Sequence, residues 1–313
     1  MTRALLITNP AAARTDARAL GAIRDTLRGG GWSVEVQATT QDGDARRFAR
    51  EARDQGVDVL VCYGGDGTAM QAAAGVVGSD IALGLVPGGT GNLLAGNLRL
   101  PRSPAAAARV ILRAQRMALD LGVVDRDGTP HYFAVCGGAG FDARLMAGTP
   151  GPSKRRWKRG AYLARALASL PGVRSTPHRV TVDGTPHERP AALVLVANCG
   201  ELMPPFLRQH GDIAPDDGWL DVMTLDADGT LDSVLAFWEL VRGRWGGAHD
   251  AGRRLWFARG RTVRVETMAG GPQPVQLDGE VCGVTPFEAR VIPAALSVLV
   301  DPALVPRRKA RHG

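Results

Sequence analysis

The hydrophobic positions in the first third of the chain follow two alternating periods. Short apolar runs predict strands, and the segments between them repeat apolar residues every three or four positions, as amphipathic helices do. Strands that alternate with helices favour βαβ units and a parallel sheet covered on both faces. The pattern predicts strands at residues 4–8, 32–38, 57–63 and 81–86 and helices at residues 16–28, 43–55, 68–75 and 104–116.

The pattern changes after about residue 120. Strand candidates then follow one another directly, and Asp-Gly pairs at 127–128, 183–184 and 278–279 predict tight turns between them. We therefore expect a mostly antiparallel β region with two helical stretches, near residues 158–170 and 231–241. Strands are predicted at residues 131–135, 179–182, 191–197, 220–225, 262–266, 275–277 and 289–292, and the run at 296–300 fits either half of the chain.

The length of 313 residues is enough for two domains, each with its own core. We predict an α/β nucleotide-binding domain at residues 1–122, which residues 294–306 could complete. A mostly antiparallel β domain follows at residues 123–293, and residues 307–313 form a basic tail.

The composition is that of a soluble globular protein, with 45% hydrophobic and 22% charged residues. No window reaches the roughly 18 apolar residues of a membrane-spanning helix. The apolar run at residues 4–7 is shorter than the ~7–15-residue core of a signal peptide, so we expect a leaderless cytoplasmic protein. The four cysteines lack metal-ligand spacing, and we expect them to be reduced core thiols.

The net charge of +7 is concentrated in two short segments, residues 154–159 and residues 307–311. Without them the remainder of the chain is slightly negative, whereas a nucleic-acid-binding domain presents a broad basic face. We therefore do not expect nucleic acid as a partner. The first segment, Lys154 to Arg159, also contains Trp157, which favours transient, peripheral contact with an anionic membrane surface. A solvated helix start with Trp157 packed inward is the alternative.

Two glycine-rich loops carry the strongest chemical signal. Gly-Gly-Asp-Gly-Thr at residues 64–68 joins a predicted strand to a predicted helix, and Pro-Gly-Gly-Thr-Gly-Asn at residues 87–92 follows the next strand. Glycines let backbone N–H groups approach an anion, and a helix N-terminus favours negative charge. Asp66 would repel a phosphate unless a metal ion or a substrate hydroxyl lies between them. An aspartate in this loop therefore favours a catalytic site over a site that only binds phosphate. The alternative for Asp66 is a helix cap.

Both loops follow predicted parallel strands, at the sheet edge where α/β proteins bind ligands. Asn9 and Pro10 follow the first strand and Thr39 follows the second, so they belong to the same edge. The sequence contains neither a GxxxxGK[ST] nor a GxGxxG motif, which excludes a P-loop and an ordinary dinucleotide site.

These motifs and others in the second half resemble the diacylglycerol kinase catalytic-domain superfamily, which includes bacterial lipid kinases and sphingosine and ceramide kinases. The resemblance spans nearly the whole chain. It implies an NAD kinase- and phosphofructokinase-like α/β domain, a β-rich domain, and ATP and lipid bound in the cleft between them. The motifs in the second half are Tyr132-Phe133, residues 140–143, residues 214–218 and Asp278-Gly279-Glu280.

The resemblance also implies roles for individual residues. Glu280 would be the general base that removes the proton of the lipid hydroxyl, and Asp66 would hold the catalytic Mg²⁺ or share in activating that hydroxyl. A structural Mg²⁺ would bind the backbone carbonyls of Ala214 and Trp219 and the carboxylate of Asp217. ATP would contact Asn9, Pro10, Ala11, Ala12, Ala13, Thr39, Gly64, Gly65, Asp66, Gly67, Thr68, Ala69, Met70, Gln71 and Thr90.

The residues also allow other interpretations. Without the resemblance, Glu280 fits a hairpin tip and Asp217 fits an ordinary Asp-Asp-Gly turn. Some family members have an aspartate where this chain has Leu93, and the loop after Asn9 lacks their serine and glycine. These departures leave open a catalytically impaired regulatory protein that binds nucleotide and lipid. A sphingoid-base or ceramide kinase, an NAD kinase-like phosphotransferase and a homodimer also remain open.

Overall fold

The computed structural model describes residues 1–140, 172–203, 207–208, 213–246 and 254–303. The chain divides into two compact units, one formed by residues 1–119 with the segment from Ala295 onward, the other by residues 120–294. The helix predicted at 158–170 and the basic tail lie outside the described residues.

The first unit is built around a parallel sheet. Its strands are β1 (Arg3–Thr8), β2 (Ser33–Ala38), β3 (Val59–Gly64), β4 (Ala82–Pro87) and the end of β18 (Phe287–Val300), and its helices are α1 (Ala17–Gly29), α2 (Asp44–Asp54), α3 (Asp66–Val76), α4 (Leu93–Asn97) and α5 (Pro104–Arg113). The strand order is β2–β1–β3–β4–β18, parallel throughout. The run at residues 296–300 therefore belongs to this sheet.

Every residue of β3 and β4 is buried. Because successive side chains of a strand point to opposite faces, burial of the whole strand means that the sheet is covered on both sides, as the sequence pattern predicts. Helix α1 packs against α5 and α2 packs against α3. The apolar face of α1 reaches the sheet through Ile23 and Leu27, which are fully buried with Leu6 and Val61 in one core cluster.

The structure differs from the predicted helix at 104–116. Helix α5 ends at Arg113, and the strand β5 (Gln115–Arg126) begins two residues later. Residues 114–119 have good helical propensity, but Leu119 and Leu121 are fully buried in the extended conformation. Tertiary burial therefore overrides local propensity at this junction.

The second unit is built from antiparallel strands. They are the part of β5 from Asp120 onward, β6 (Thr129–Phe133), β7 (Cys136–Gly140), β8 (Thr176–Val182), β9 (Thr185–Ala191), β10 (Leu193–Ala197), β11 (Glu201–Met203), β12 (Leu207–Arg208), β13 (Leu220–Leu225), β14 (Leu255–Gly260), β15 (Thr262–Thr267), β16 (Pro274–Leu277), β17 (Glu280–Val284) and the start of β18, with helix α6 (Gly229–Gly246). One sheet has the order β14–β13–β10–β7–β16–β17, and the start of β18 continues into β15, β8 and β9. Both groups contribute to one core, in which Val196 and Val275 pack with Val180 and Phe287.

The three Asp-Gly turns are confirmed. In each pair both residues have positive φ, for example 47° at Asp278 and 86° at Gly279, which is the type I′ geometry that suits two-residue hairpins. They join β5 to β6, β8 to β9 and β16 to β17. The last turn therefore fixes where Glu280, the first residue of β17, lies.

Candidate active site

In the first unit, the carboxyl ends of four parallel strands bring the predicted loops side by side. Thr8 is in register with Ala38 and Tyr63, and Gly64 is in register with Pro87. The residues that follow these strands therefore lie at one level of the sheet edge. Neighbouring strands are about 4.8 Å apart, so the loops after β2, β1, β3 and β4 span roughly 14 Å. That width suits an extended small molecule rather than a single ion.

Hydrogen bonds tie these loops to one another. The amide of Asn9 donates to the hydroxyl of Thr68 at 3.0 Å, which joins the first loop to helix α3. The backbone N–H of Arg14 donates to the carbonyl of Gly88 at 2.9 Å, and that of Gly88 donates to the carbonyl of Gly64 at 2.7 Å. The first loop and both glycine loops are thus one interlocked set.

The two glycine loops are in direct backbone contact. A Cβ added at Gly89 would lie 2.6 Å from the Cα of Gly65, a backbone atom that cannot rotate away. The side chain of Asn92 closes the second loop, because its Oδ1 accepts from the N–H of Gly89 at 2.8 Å and its Nδ2 donates to the carbonyl of the same residue at 2.7 Å. Glycine at position 89 is therefore required by packing.

Asp66 is the first residue of α3 and is half-buried. Its Oδ1 accepts from the backbone N–H of Leu93 at 2.6 Å, which ties the start of α3 to the start of α4. Apolar side chains such as Leu85 and Leu94 line the space beside it. Burial raises the pKa of Asp66, and the N–H groups of residues 92–94 only partly oppose that shift. The carboxylate therefore has one fixed orientation at the N-terminus of a helix.

The loop after β2 is held by a carboxylate to which the sequence analysis assigned no role. Asp44 accepts from the N–H and the hydroxyl of Thr40 at 2.8 and 2.9 Å and from the N–H of Gln41 at 3.1 Å. These bonds, led by the Thr40 N–H, and the nearby Arg47 hold the pKa of Asp44 well below its ordinary value. Thr39 is positioned by this loop and by its own N–H, which donates to Thr8 at 2.9 Å.

The remaining predicted nucleotide contacts belong to the same edge. Gln71, on α3, accepts from the N–H of Gly43 at 3.0 Å, and Ala11 donates its N–H to the side chain of Asn9 at 2.9 Å. Ala69 is buried, so only its backbone is available to a ligand. The other residues of the set lie in the loop after β1, in the first turns of α3 or in the loop after β4. They are Pro10, Ala12, Ala13, Gly67, Met70 and Thr90.

In the second unit, the predicted residues share one edge of the six-stranded sheet. Ala197 at the end of β10 is paired with Cys136 and Asp221, and Leu277 at the end of β16 is paired with Glu280. The same edge receives the segment 214–219, which leads into β13. From β13 to β17 there are four strand spacings, or about 19 Å. Glu280 and the segment 214–219 are therefore too far apart to touch one small ion together.

Asp278 anchors the turn that carries Glu280. Its carboxylate accepts three backbone N–H groups, from Ala134 at 2.7 Å and from Val135 and Cys136 at 2.9 Å each. Glu280 itself is exposed, on the edge strand β17. The Asp-Gly-Glu motif thus divides into an anchoring carboxylate and an exposed carboxylate that can meet a substrate.

The segment 214–219 is held by Asp120, which the sequence analysis missed. The two carboxylate oxygens of Asp120 accept from Gly218 at 2.6 Å and from Ala294 at 2.7 Å, and its N–H donates to Pro215 at 2.7 Å. Asp120 is only 3% exposed. A single charged residue between Leu119 and Leu121 is the signal that a buried ionic anchor leaves in a sequence.

The donor chemistry of the segment 214–219 fits a hard divalent cation. Its candidates are two backbone carbonyls and the carboxylate of Asp217, the oxygen ligands that Mg²⁺ prefers. Burial raises the pKa of Asp217, Arg259 at 3.3 Å opposes that shift, and the charges of Asp221 and Asp120 add to it. Asp217 and Asp221 share the single guanidinium of Arg259, and the negative charge that remains favours a bound cation.

Among the described residues, no group of three or more His, Cys, Asp or Glu side chains could hold a metal ion. Within the same part of the chain, no helix is long and apolar enough to cross a membrane. None of the four cysteines is in a disulfide, and Cys62, Cys136 and Cys199 are buried. The basic segment 154–159 with Trp157 lies outside the described residues, so membrane contact there stays a prediction.

Comparisons with known proteins agree over nearly the whole chain. A model described as the diacylglycerol kinase catalytic domain matches residues 3–124, and one described as the YegS C-terminal NAD kinase beta sandwich-like domain matches residues 136–300. A diacylglycerol kinase of Mycobacterium tuberculosis H37Rv is 31% identical over 281 residues, which cover 86% of this chain and 82% of the relative. A diacylglycerol kinase of Bacillus subtilis 168 is 27% identical, with 92% and 93% covered.

The fold is also similar to that of a solved structure. The crystal structure of a diacylglycerol kinase from Bacillus anthracis Sterne has a TM-score of 0.74 to this chain at 22% identity. The similarity covers 97% of this chain and 98% of that one. An α/β unit with a parallel sheet followed by an antiparallel β unit is therefore the architecture of both proteins.

Proposed function

Since the chain belongs to the diacylglycerol kinase family of lipid kinases, we propose that it transfers the γ-phosphate of ATP to the hydroxyl group of a lipid. Diacylglycerol, after which the relatives in M. tuberculosis and B. subtilis are named, is the substrate that we expect first. The observation that carries the proposal is the interlocked pair of glycine loops around Asp66. Such a surface of backbone N–H groups is suited to phosphates and leaves one carboxylate for the chemistry.

The nucleotide binds at the sheet edge of the first unit. The first N–H groups of α3 have no partners within the helix, and the helix N-terminus favours an anion. The contact of Gly65 with Gly89 keeps side chains away from the backbone there, so phosphate oxygens can approach. Arg14, exposed on the first loop, adds positive charge. The residues that we assign to ATP are Asn9 to Ala13, Thr39, Gly64 to Gln71 and Thr90.

Glu280 acts as the general base. A base must come within hydrogen-bonding distance of the attacking hydroxyl, and Glu280 is an exposed carboxylate on a turn that Asp278 holds in place. Asp66, by contrast, is half-buried and has one oxygen engaged by Leu93. We therefore assign Asp66 to holding a metal ion beside the phosphates. Proton removal by Asp66 is the alternative, and the variant Glu280→Gln distinguishes the two.

Mg²⁺ is the metal that this chemistry implies, since, when bound, it neutralises charge on the transferred phosphate. Asp66 is the carboxylate available beside the proposed phosphate site. The carbonyls of Ala214 and Trp219 and the carboxylate of Asp217 would hold a second, structural ion. That ion would fix the segment next to Asp120 and would not reach the substrate of Glu280, given the ~19 Å between them along the sheet.

The test is a phosphoryl-transfer assay with γ-labelled ATP and Mg²⁺. Diacylglycerol, sphingosine, ceramide and NAD are offered separately, and wild type is compared with Glu280→Gln and with Glu288→Gln, an exposed glutamate of β18. We expect labelled phosphatidic acid, a loss of about 10²–10⁴-fold in kcat for Glu280→Gln, and little change for Glu288→Gln.

Each other result has a definite meaning. Full activity in Glu280→Gln would move the base to Asp66. Label on sphingosine or ceramide alone would change the substrate class, and label on NAD alone would replace the lipid kinase by a nucleotide kinase. ATP binding without label on any acceptor would contradict catalysis and favour a regulatory protein.

A further inference from the structure

Helix α6 presents an apolar stripe to solvent. Leu231, Val234, Leu235 and Trp238 are 72%, 49%, 38% and 52% exposed, which makes them four of the ten most exposed large hydrophobic residues among those described. Their spacing is i, i+3, i+4 and i+7, so they lie within an arc of about 100° on one face and extend roughly 10 Å along the helix. Isolated exposed apolar residues are ordinary, but four on one face indicate a contact surface.

The opposite face of α6 is fixed to the second unit. Ala236, about 150° around the helix from the centre of the stripe, is fully buried with Val173, Ala192 and Ala227 in a separate core cluster. The helix therefore has a packed side and an outward side, and the stripe is on the outward side.

The charged residues of α6, counted together with Arg254, carry no excess of negative charge. Asp232 and Glu239 both pair with Arg254, at 2.8 and 3.1 Å. The sequence also has Arg242 and Arg244 in the last turns of the same helix. The two acidic and two basic residues of α6 balance each other in formal charge, and Arg254 adds one positive charge, so an anionic surface would not be repelled.

We propose that the stripe on α6, residues 231, 234, 235 and 238, docks on the surface of a lipid bilayer. The proposal rests on the proposed function, since a lipid kinase must reach a substrate embedded in a membrane. A convex helix face with leucines and a tryptophan is the form that interfacial helices take, with the apolar side in the acyl boundary and the tryptophan at headgroup level. Four side chains are too few for the ~800 Å² per partner of a stable dimer, which disfavours a second copy.

The experiment is co-sedimentation of the full chain with vesicles of phosphatidylcholine and phosphatidylglycerol. Wild type is compared with Leu231→Gln/Val234→Gln, which keeps good helix formers at both positions. The matched control is Val36→Thr/Met268→Gln, which removes two exposed apolar side chains elsewhere, 36% and 45% exposed. We expect the α6 variant to bind the vesicles about tenfold more weakly or worse and the control to bind like wild type.

Brominated lipids supply a second measurement that does not depend on a damaging variant. They should quench the fluorescence of Trp238. The contribution of Trp238 is the part of the fluorescence that is lost in the variant Trp238→Phe. Equal vesicle binding by the α6 variant, or no quenching of Trp238, would overturn the proposal, and a dimer that the α6 variant dissociates would replace the bilayer by a second copy. Vesicle binding without phosphoryl transfer would contradict the proposed function and leave this inference standing.

Discussion

The two units use their carboxylates differently at the candidate site. In the first unit one residue has both tasks: Asp66 accepts the N–H of Leu93 and contacts the second glycine loop at Gly91, and it is also the carboxylate to which we assign a chemical role. In the second unit these tasks are divided. Asp278 holds three backbone N–H groups, and Glu280, two residues later, is exposed and has no anchoring task.

The difference shows two ways in which a fold can hold a carboxylate in a fixed position. A buried charge is expensive unless its hydrogen bonds compensate, and the raised pKa of Asp66 shows that its three neighbouring amides do not compensate fully. An exposed carboxylate such as Glu280 avoids this cost but needs a rigid support. The antiparallel hairpin supplies that support through Asp278, which contributes stability and need not take part in the chemistry.

Asp278→Ala should have the largest effect on stability. The substitution leaves the N–H groups of residues 134–136 without their acceptor, and each unsatisfied buried donor costs about 1–3 kcal/mol. We expect the free energy of unfolding, measured by urea denaturation, to fall by about 3 kcal/mol or more. Asp278→Asn, which keeps an acceptor oxygen and tolerates the positive φ, should lose clearly less.

Asp183→Ala is the matched control for that prediction. Asp183 occupies the same position in another Asp-Gly turn and accepts the N–H groups of Arg261 and Thr262, at 2.9 and 2.8 Å, but it is exposed. Water can replace its oxygens, so the loss should be smaller. Equal losses for the two alanine variants would mean that the Asp-Gly turn itself explains the effect, and not the bonds from Asp278 to the buried N–H groups of residues 134–136.

The sequence predicts the first unit better than the second for a physical reason. Helices and buried strands have different periods, so their alternation is visible without any tertiary information. Strand β7, by contrast, has no side-chain pattern because three of its five residues are glycine. A Cβ at Gly138 would lie 2.5 Å from the carbonyl of Val194 on β10, so the close approach of a neighbouring strand removes the very signal that would identify the strand.

The residues of the candidate site are likewise easier to predict in the first unit than in the second. The glycine loops and Asp66 follow from local motifs, because a loop between a buried strand and a helix has a fixed place in a parallel sheet. The partners of Asp278 are 142 to 144 residues away in the chain, and those of Asp120 include Ala294, 174 residues away. No local pattern predicts such pairs, so the anchors of the second unit become visible only in the folded chain.

Gly89→Ala should have an intermediate effect and tests the locked loops of the first unit. The added Cβ would meet the backbone of Gly65, so the loops must separate, and we expect a loss of about 1–3 kcal/mol in the free energy of unfolding. Nucleotide affinity, measured by titration with an ATP analogue, should fall as well.

Gly21→Ala is the control. Gly21 is within α1, and an added Cβ would meet no atom within 4 Å, so this variant should raise the free energy of unfolding by about 0.5–1 kcal/mol. Unchanged affinity in Gly89→Ala would separate the loop contact from nucleotide binding.

Asp66→Asn should have the smallest effect on stability and the opposite sign to Asp278→Ala. Because burial raises the pKa of Asp66 above its ordinary value of 3.8, the folded state binds this proton more tightly than the unfolded state does. The stability gained from the proton is present below that ordinary value and is lost as the pH rises through the raised pKa. At neutral pH the ionised carboxylate therefore costs stability relative to a neutral side chain of the same shape.

We accordingly expect Asp66→Asn, without divalent cations, to be as stable as wild type or more stable at neutral pH, while phosphoryl transfer falls by about 10²-fold or more. The measurement is the difference in the free energy of unfolding between variant and wild type from mildly acidic to neutral pH. The variant should become more stable relative to wild type as the pH rises. A variant less stable than wild type at neutral pH would show that the bond to Leu93 outweighs the cost of the buried charge, and Asp66 would then be an anchor of the same kind as Asp278.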